Sequence, residues 1–376
     1  MIYVTVRQKP KSEQITWLDL MMNEELPKHY GMGGSAGTIT RTMAAPNKEL
    51  LSTINVNKMI QTLKAFNERH KDLYEADKKT LYRHFSIPKK AGGLRPIDAP
   101  CDKLQDALRE LKNILENQFG LLYHTAAFAY IKNRCITNAL YRHQNNESNW
   151  FLKTDFSGFF PSTTLDFTMK MLSMLFPLSE VCRIPEGKEE LKKALSLGFL
   201  NDGLPQGTVL SPSLTNMIMI PIDHRLFNEL AHHKYVYTRY ADDIHISAVE
   251  KFDPDKMVEL IKSVLKEFDA PFEIKKEKTH YGSRKGKNFL LGLILNKEND
   301  ISIGWRRKRY WKAMTANLIM DYKNHKQINV EEVRKYEGLT SYYMMIEPEY
   351  FKKLTRHFNN KFHVNLKMIV KNCNSY

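Results

Sequence analysis

This sequence has few cysteines, no long apolar run and no excess of acidic residues, and each of these shortages excludes a class of protein. Only 4 of the 376 residues are cysteine. No two of them lie close together, so neither a thiolate zinc site nor a disulfide framework is indicated. No apolar run approaches the roughly 20 residues that span a bilayer, and the first residues lack the basic-then-apolar order of a signal peptide. We therefore expect a cytoplasmic protein with reduced thiols and no membrane partner.

Positive charge is what the sequence has in excess, with a formal net charge of +15 and a pI near 9.4. Such an excess favours a polyanionic partner, most often nucleic acid. After residue 304, 15 Lys and Arg stand against 6 Asp and Glu. A basic run opens this segment between aromatic side chains: Arg306, Arg307, Lys308 and Arg309 follow Trp305 and precede Tyr310 and Trp311. A solvated charged face is the simple alternative, but the aromatic flanks favour contact with phosphates and bases.

The order of helical and extended patterns predicts an α+β protein. Helical periodicity covers 52–84, 103–119, 163–200, 214–230 and 254–268, and it recurs through the C-terminal third. Extended patterns cover 151–156, 272–276 and 288–296, and a Gly-Gly turn divides 85–98 into a basic hairpin. Mixed helices and antiparallel strands without regular βαβ alternation are typical of the α+β class.

Three aspartates mark the candidate chemistry. Asp242 and Asp243 follow an aromatic, β-rich run and precede an alternating one, which predicts a hairpin with two carboxylates at its tip. Adjacent acids repel one another unless a hard cation offsets their charge, so metal binding competes with a solvated turn. Asp155 ends a short apolar strand, where helix capping is the alternative. Together the three acids can converge on two metal ions, one activating a 3′-hydroxyl and the other stabilising a leaving pyrophosphate.

Ordered motifs around these acids resemble those of a reverse transcriptase, from about residue 85 to 355. The segment 87–95 is similar to the fingers motif, and 127–139 to the motif that follows it. The aspartates, the Pro-Gln-Gly element at 204–216, and the segments 276–279 and 288–292 then appear in the family's order. The resemblance implies a right-hand polymerase and an RNA-directed DNA polymerase activity.

The resemblance implies a role for each acid. Asp155 and Asp242 would bridge two Mg²⁺ ions, with Mn²⁺ as a possible substitute. The backbone carbonyl of Phe156 would add a ligand, and Asp243 would lie close by. Lys278 is a candidate proton donor to the leaving pyrophosphate, with Lys276 as its competitor and an exposed lysine as the simple alternative.

The resemblance also implies a nucleotide site. Lys89 and Arg95 would bind the triphosphate, which suits a point charge and a planar fork; a solvated hairpin edge is the alternative. Phe160 would exclude a 2′-hydroxyl and so select dNTPs, unless it is a core residue. Gln206 would lie along the sugar and base, and Gly207 would permit close backbone approach.

Four regions follow from the same resemblance. They are an N-terminal extension (1–48), fingers (49–150), a palm (151–300) with a fingers-type insertion near 163–205, and a helical basic thumb (301–376). Residues 289–292 would support the primer end, and the basic run from Trp305 to Arg309 would contact nucleic acid.

The similarity is greatest to compact bacterial enzymes of the retron or defence-associated kind, related to group II intron reverse transcriptases. The Pro-Gln-Gly element and the segment 303–309 carry this likeness. It departs from the retron pattern at 138–143, which has one residue too many, and at 290–292. It implies a dedicated non-coding RNA as template, a DNA product, antiphage defence and a possible effector protein.

Two other functions compete with reverse transcription. One is a nucleic-acid-binding scaffold that has lost catalysis, although a scaffold needs neither the three acids nor Lys89, Arg95 and Gln206. The other is a template-independent or protein-primed polymerase, for which hydroxyls such as that of Tyr376 are available. A product covalently attached to the polypeptide would identify the latter.

Overall fold

The structure is a computed structural model that describes residues 55–89, 92–286 and 290–374. Its described residues form two compact units. The first unit comprises those within Met1–Asn146 together with Trp150–Tyr281, and the second comprises those within Glu147–Asn149 and Gly282–Tyr376. The predicted N-terminal extension, Phe289 and Tyr376 lie outside the described residues, as does the side chain of Lys276. The four predicted regions keep their boundaries as predictions.

The first unit is built from helices around one antiparallel sheet and a separate hairpin. Its helices and strands follow one another as α1 (Val56–Arg69), α2 (Lys71–Glu75), β1 (Tyr82–Pro88), β2 (Leu94–Pro100), α3 (Asp102–Asn113), α4 (Ile136–Asn145), β3 (Trp150–Ser157), α5 (Phe159–Ser162), α6 (Leu165–Leu172), α7 (Leu178–Arg183), α8 (Pro185–Ser196), α9 (Leu210–Ile218), α10 (Ile220–His232), β4 (Val236–Tyr240), β5 (Asp243–Ala248), α11 (Pro254–Glu267), β6 (Glu273–Ile274) and β7 (His280–Ser283).

The sheet that carries the aspartates has the strand order β4-β5-β3-β6, and β7 also pairs with β3. Strands β3 and β5 are antiparallel, in a register that sets Asp155 opposite Asp243. Because side chains alternate across a strand, Lys153 and Asp155 share one face of β3, while Leu152, Thr154 and Phe156 point to the other. Those three are buried. One face of β3 therefore anchors the sheet in the core and leaves the other for the site.

Several predicted elements differ from the structure. The helical pattern predicted over 52–84 overlaps the start of β1, which begins at Tyr82. The single helix predicted over 214–230 is interrupted at Met219, and Pro221 lies in the first turn of the second helix, α10. Proline has no N–H to donate to the preceding turn, so the helix restarts there. The strand predicted over 288–296 is limited, among described residues, to Ile294–Leu295, and the pattern did not predict β7.

The second unit is a small helical body with a two-stranded ribbon. Its elements are β8 (Ile294–Leu295), β9 (Ile301–Ser302), α12 (Trp305–Lys323), α13 (Val330–Ile346), α14 (Pro348–Phe362) and α15 (Leu366–Asn374). Trp311 is completely buried at its centre. Its ring stacks on Tyr336 and meets Phe351 edge-on, and its Nε1 donates to Thr340 Oγ1 at 2.8 Å. Trp311, which flanks the basic run in the sequence, is therefore a core residue of this unit, because the helix turns its ring inward.

No helix among the described residues is both long and apolar enough to cross a membrane.

Candidate active site

The tip of the β4–β5 hairpin holds the adjacent aspartates, as the sequence pattern predicts. Tyr240 ends β4 and pairs with Asp243 at the start of β5, so Ala241 and Asp242 form the connection. Ala241 has a φ of 58°, in the left-handed region that a residue with a Cβ seldom adopts. The backbone N–H of Phe156 donates to the Asp242 carbonyl at 3.2 Å. This bond ties the tip to the end of β3.

Two lysines offset the charge of the opposed acids. Like charges directly opposite on a sheet repel one another. Lys278 Nζ lies 2.5 Å from Asp155 Oδ2, and Lys153 Nζ lies 3.0 Å from Asp243 Oδ1. The bond to Asp155 raises the pKa of Lys278, so this amine holds its proton. Asp155 thus lies beside Asp242 and Asp243. One lysine is paired with Asp155 and another with Asp243.

Asp242 is the acid whose charge is least well stabilised. Burial, and then the neighbouring charges of Asp243 and Asp155, raise its pKa. Carboxylate oxygens are hard donors, which is the donor chemistry that Mg²⁺ prefers. In the described part of the chain, no three His, Cys, Asp or Glu side chains are gathered as a metal-ligand group. The acids suit a divalent ion, and Lys278 and Lys153 are the cations that now lie against two of them.

The basic hairpin of β1 and β2 is fixed to the Pro-Gln-Gly element. Its turn is closed by the Lys89 N–H, which donates to the Gly93 carbonyl at 2.9 Å, and Arg95 pairs with Ile87 across the ladder. The Asp98 N–H donates to the Gln206 carbonyl at 2.7 Å. The hairpin that bears two predicted triphosphate ligands therefore touches the loop predicted to hold the sugar and base.

Gly207 makes this contact possible. Its φ is 127°, and a Cβ built there would lie 3.0 Å from the Asp98 carbonyl oxygen. Any larger residue would be strained by both the backbone conformation and the contact. Glycine at this position therefore permits the close approach of the hairpin backbone, and its place in the nucleotide site stays a prediction.

Phe160 lies on the short helix α5, between the Asp155 strand and the same loop. Its carbonyl accepts a hydrogen bond from the Leu204 N–H at 3.0 Å. Its ring is partly buried and tilts against Phe159, at 5.8 Å between ring centroids. A Cβ on Gly203 would lie 2.2 Å from the Pro161 carbonyl oxygen, so helix and loop are in direct contact. The helix that carries Phe160 is thus held against the loop that carries Gln206.

Arg239 is a buried residue of the site that the sequence motifs did not predict. It is fully buried, and its guanidinium binds both carboxylate oxygens of Asp223, at 2.8 and 2.7 Å. Its remaining donor, Nη1, reaches the Ala241 carbonyl at 2.9 Å. Lys153 was missed as well, although its spacing of two from Asp155 on a strand is a signal for a shared face.

The basic run of α12 is divided between the surface and internal contacts. Trp305 and Arg306 are exposed, and Arg309 lies over the Trp305 ring at 5.4 Å. Arg307 instead donates to the Gly292 carbonyl. Lys308 pairs with Glu347 at 2.5 Å. The predicted nucleic-acid contact therefore has three side chains at the surface, while two others hold the second unit together.

The part of the sequence that forms this site matches a known protein family. The sequence model of the reverse transcriptase (RNA-dependent DNA polymerase) family matches residues 87–295. This span contains the three aspartates, Lys89 and Arg95 of the basic hairpin, and the Pro-Gln-Gly element, and it is more than half of the chain. The chain belongs to the reverse transcriptase family, and by class it is an RNA-directed DNA polymerase.

Its similarity extends to bacterial retron enzymes. It is 27% identical to the Retron Ec83 reverse transcriptase of Escherichia coli over 288 residues, or 74% of this chain and 87% of that protein. It is also 27% identical to the Retron Ec73 reverse transcriptase of the same organism, over 73% of this chain and 86% of that one. The fold is thus the α+β right-hand polymerase that the resemblance implied.

Among solved structures, the chain resembles apo telomerase from Candida tropicalis at 14% identity and a TM-score of 0.44. The match covers 78% of this chain and 61% of that telomerase chain. At this TM-score the likeness carries no functional meaning.

Proposed function

We propose that the protein is a Mg²⁺-dependent reverse transcriptase that polymerises dNTPs on a dedicated non-coding RNA, as part of bacterial antiphage defence. The observation that carries the catalytic part is the placement of Asp155 opposite Asp243, beside an Asp242 whose pKa is raised by burial and by these neighbours. A fold gains no stability from this crowding, whereas a phosphoryl-transfer centre requires it.

Asp155, Asp242, the Phe156 carbonyl and Asp243 would hold the divalent ions. Bound there, the ions would supply positive charge against the triphosphate and ease deprotonation of the primer 3′-hydroxyl. Mn²⁺ has the same preference for oxygen ligands and is the expected substitute.

The remaining residues position the nucleotide. Lys89 and Arg95 would bind the triphosphate from the exposed hairpin, and Gln206 would lie along the sugar and base. The Asp98 N–H donates to the Gln206 carbonyl at 2.7 Å. This bond would make the hairpin with Lys89 and Arg95 move together with Gln206. Lys278 carries a proton at Nζ and lies at Asp155, so it can donate that proton to the leaving pyrophosphate.

The direct test is extension of a DNA primer on an RNA template with dNTPs and Mg²⁺. We expect the double substitution D242N/D243N to reduce the rate of incorporation by about 10³-fold, because the charge that holds the ions is lost. The matched control is D166N, which removes an exposed carboxylate on α6 and should leave the rate unchanged. Wild-type rates in D242N/D243N would overturn the metal assignment.

The sugar gate is tested separately at Phe160. We expect F160A to raise ribonucleotide incorporation, relative to dNTPs, at least about ten-fold, since a 2′-hydroxyl is then no longer excluded by size. F160Y keeps the ring and should keep the preference for dNTPs. An unchanged ratio in F160A, measured from kcat/KM for each nucleotide, would remove the gate assignment.

A net charge of +15 and the similarity to retron reverse transcriptases support an RNA template, while the defence role rests on the motif resemblance alone. Sequencing the RNA and DNA that co-purify with the protein tests the template: one abundant RNA and a DNA complementary to it are expected. Loss of phage resistance in cells carrying D242N/D243N tests the defence role. A random RNA population or undiminished resistance would contradict the corresponding proposal.

A further inference from the structure

Tyr130 is an exposed aromatic residue at the end of a buried segment of the first unit. The four preceding residues, Ala126 to Ala129, are at most 4% exposed, whereas Tyr130 is 56% exposed. Its φ is 59°, a conformation that is unfavourable for a bulky side chain and persists only where the surroundings impose it. The local backbone thus turns this ring out of the core at a cost.

The segment before Tyr130 runs beside the strand that leads to the catalytic aspartates. Ala127 forms a parallel bridge with Arg239. The Phe128 N–H donates to the Arg239 carbonyl at 2.9 Å, and the Arg239 N–H donates to the Ala126 carbonyl at 2.7 Å. Because the two segments run in the same direction, three residues beyond Ala127 correspond to three beyond Arg239. Tyr130 and Asp242 thus occupy equivalent places past the bridge, and the charge of Asp242 acts on the Tyr130 phenol.

A single buried network holds both the hairpin tip and this segment. Asn216 Nδ2 donates to the Ala129 carbonyl at 2.8 Å, while its Oδ1 accepts from Arg239 Nη1 at 3.1 Å. The same nitrogen donates to the Ala241 carbonyl. The residues just before Tyr130 and just before Asp242 therefore share one anchor, which fixes their relative position.

The electrostatic neighbours of Tyr130 belong to the nucleotide site. Burial, and then the nearby charge of Asp242, raise the pKa of the phenol, and Arg95 acts in the opposite sense. The exposed Tyr130 ring is near both Arg95, a proposed triphosphate ligand, and Asp242. A nucleotide bound between these two residues would therefore pass the ring. Aromatic rings in such positions pack on bases and sugars with little dependence on sequence.

We propose that Tyr130 contacts the incoming nucleotide, its ring packing against the sugar or base while Arg95 binds the triphosphate. This inference rests on the proposed polymerase function and names a further substrate-contacting residue for it. The buried network of Arg239 and Asn216 acts on the reaction only by positioning Tyr130 and Asp242.

The test uses steady-state extension of an oligo(dT) primer on poly(rA) with dTTP. We expect Y130A to raise the KM for dTTP about ten-fold, the effect of losing one aromatic contact with a base. The kcat and the Kd for primer–template should change less than about two-fold by comparison. Y130N removes the ring as well, and asparagine tolerates a positive φ, so it should repeat the Y130A result without added backbone strain.

Two further variants make the outcome decisive. Y130F keeps the ring and should remain within about three-fold of the wild-type KM, which is near the low end of the contribution of one neutral hydrogen bond. Y141A removes an exposed tyrosine on α4 and is the matched control. An unchanged KM in Y130A and Y130N, a weakened Kd for primer–template with KM intact, or a Y130F loss equal to that of Y130A would overturn the inference. Absence of incorporation by the wild type would instead overturn the proposed function, and the inference with it.

Discussion

Arg239 shows how one buried side chain can set the geometry of an exposed turn. Burial alone would lower its pKa, but Asp223 outweighs burial and the pKa is raised. The Tyr237 hydroxyl also donates to Asp223, at 2.8 Å. A cation that is fully paired inside the core can then donate to the carbonyl of Ala241, whose left-handed backbone precedes the catalytic acid. The pair of Arg239 and Asp223 therefore orients the hairpin tip as well as stabilising the core.

Removing the anion of this pair should be costly. We expect D223N to lower the free energy of unfolding by about 3–5 kcal/mol, because Arg239 would remain charged and buried without its partner. Urea denaturation measures the change, and D166N, at an exposed carboxylate paired with Lys192, is the control. Equal midpoints for D223N and D166N would show that the buried pair contributes nothing to stability.

Helix α12 shows how a basic run is divided at the scale of an element. Because the helix has 3.6 residues per turn, Arg306 and Arg309 lie on one side of it and Arg307 and Lys308 on the other. The first two are exposed, while Lys308 lies 4.2 Å from the centre of the Tyr350 ring and pairs with Glu347. Only one side of the run is free to meet a phosphate backbone, although all four residues carry the same charge.

The salt dependence of binding tests this division. We expect R306A/R309A to weaken binding of a primer–template and to reduce the slope of log Kd against log salt by about 2, one for each lost phosphate contact. K188A/K192A removes two exposed charges from α8 and is matched in net charge. Fluorescence anisotropy over a salt series supplies the slopes, and the same slope in both double variants would contradict the contact.

Stability of the first unit is linked to pH through its buried histidines. Burial lowers the pKa of His143 to about 3 and that of His124 to about 4. His143 contacts the Ser247 hydroxyl at 2.6 Å and the Thr238 hydroxyl at 2.8 Å. The unfolded chain binds these protons near pH 6.5, and the folded chain does not. Stability is therefore complete above the unfolded pKa and is lost as pH falls from about 6.5 towards the folded values.

Acidification should consequently destabilise the whole molecule. We expect His143 alone to account for a loss on the order of 2 kcal/mol between pH 6.5 and pH 5, since each pKa unit corresponds to about 1.4 kcal/mol. Urea unfolding at a series of pH values measures the loss, with H143Q as the test and H232Q, at an exposed position on α10, as its matched substitution. Identical pH profiles for the two variants would refute the linkage.

What the sequence by itself determined is local. The hairpin with Asp242 and Asp243, the strand that carries Asp155 and the order of the motifs can be read from the chain, because turn chemistry and alternation act over a few residues. The α+β class and the family followed from them and are confirmed. The roles of the individual site residues stay predictions.

Only the tertiary structure decided which of the charged and aromatic residues face each other. Lys278 meets Asp155 across 123 residues of sequence, Arg239 pairs with Asp223, and Trp311 turns into the core. Tyr130 and Asp242 occupy equivalent places past a bridge that no local pattern encodes. Each of these depends on long-range packing and on burial, which fix distances and pKa values but leave no periodic signal in the sequence.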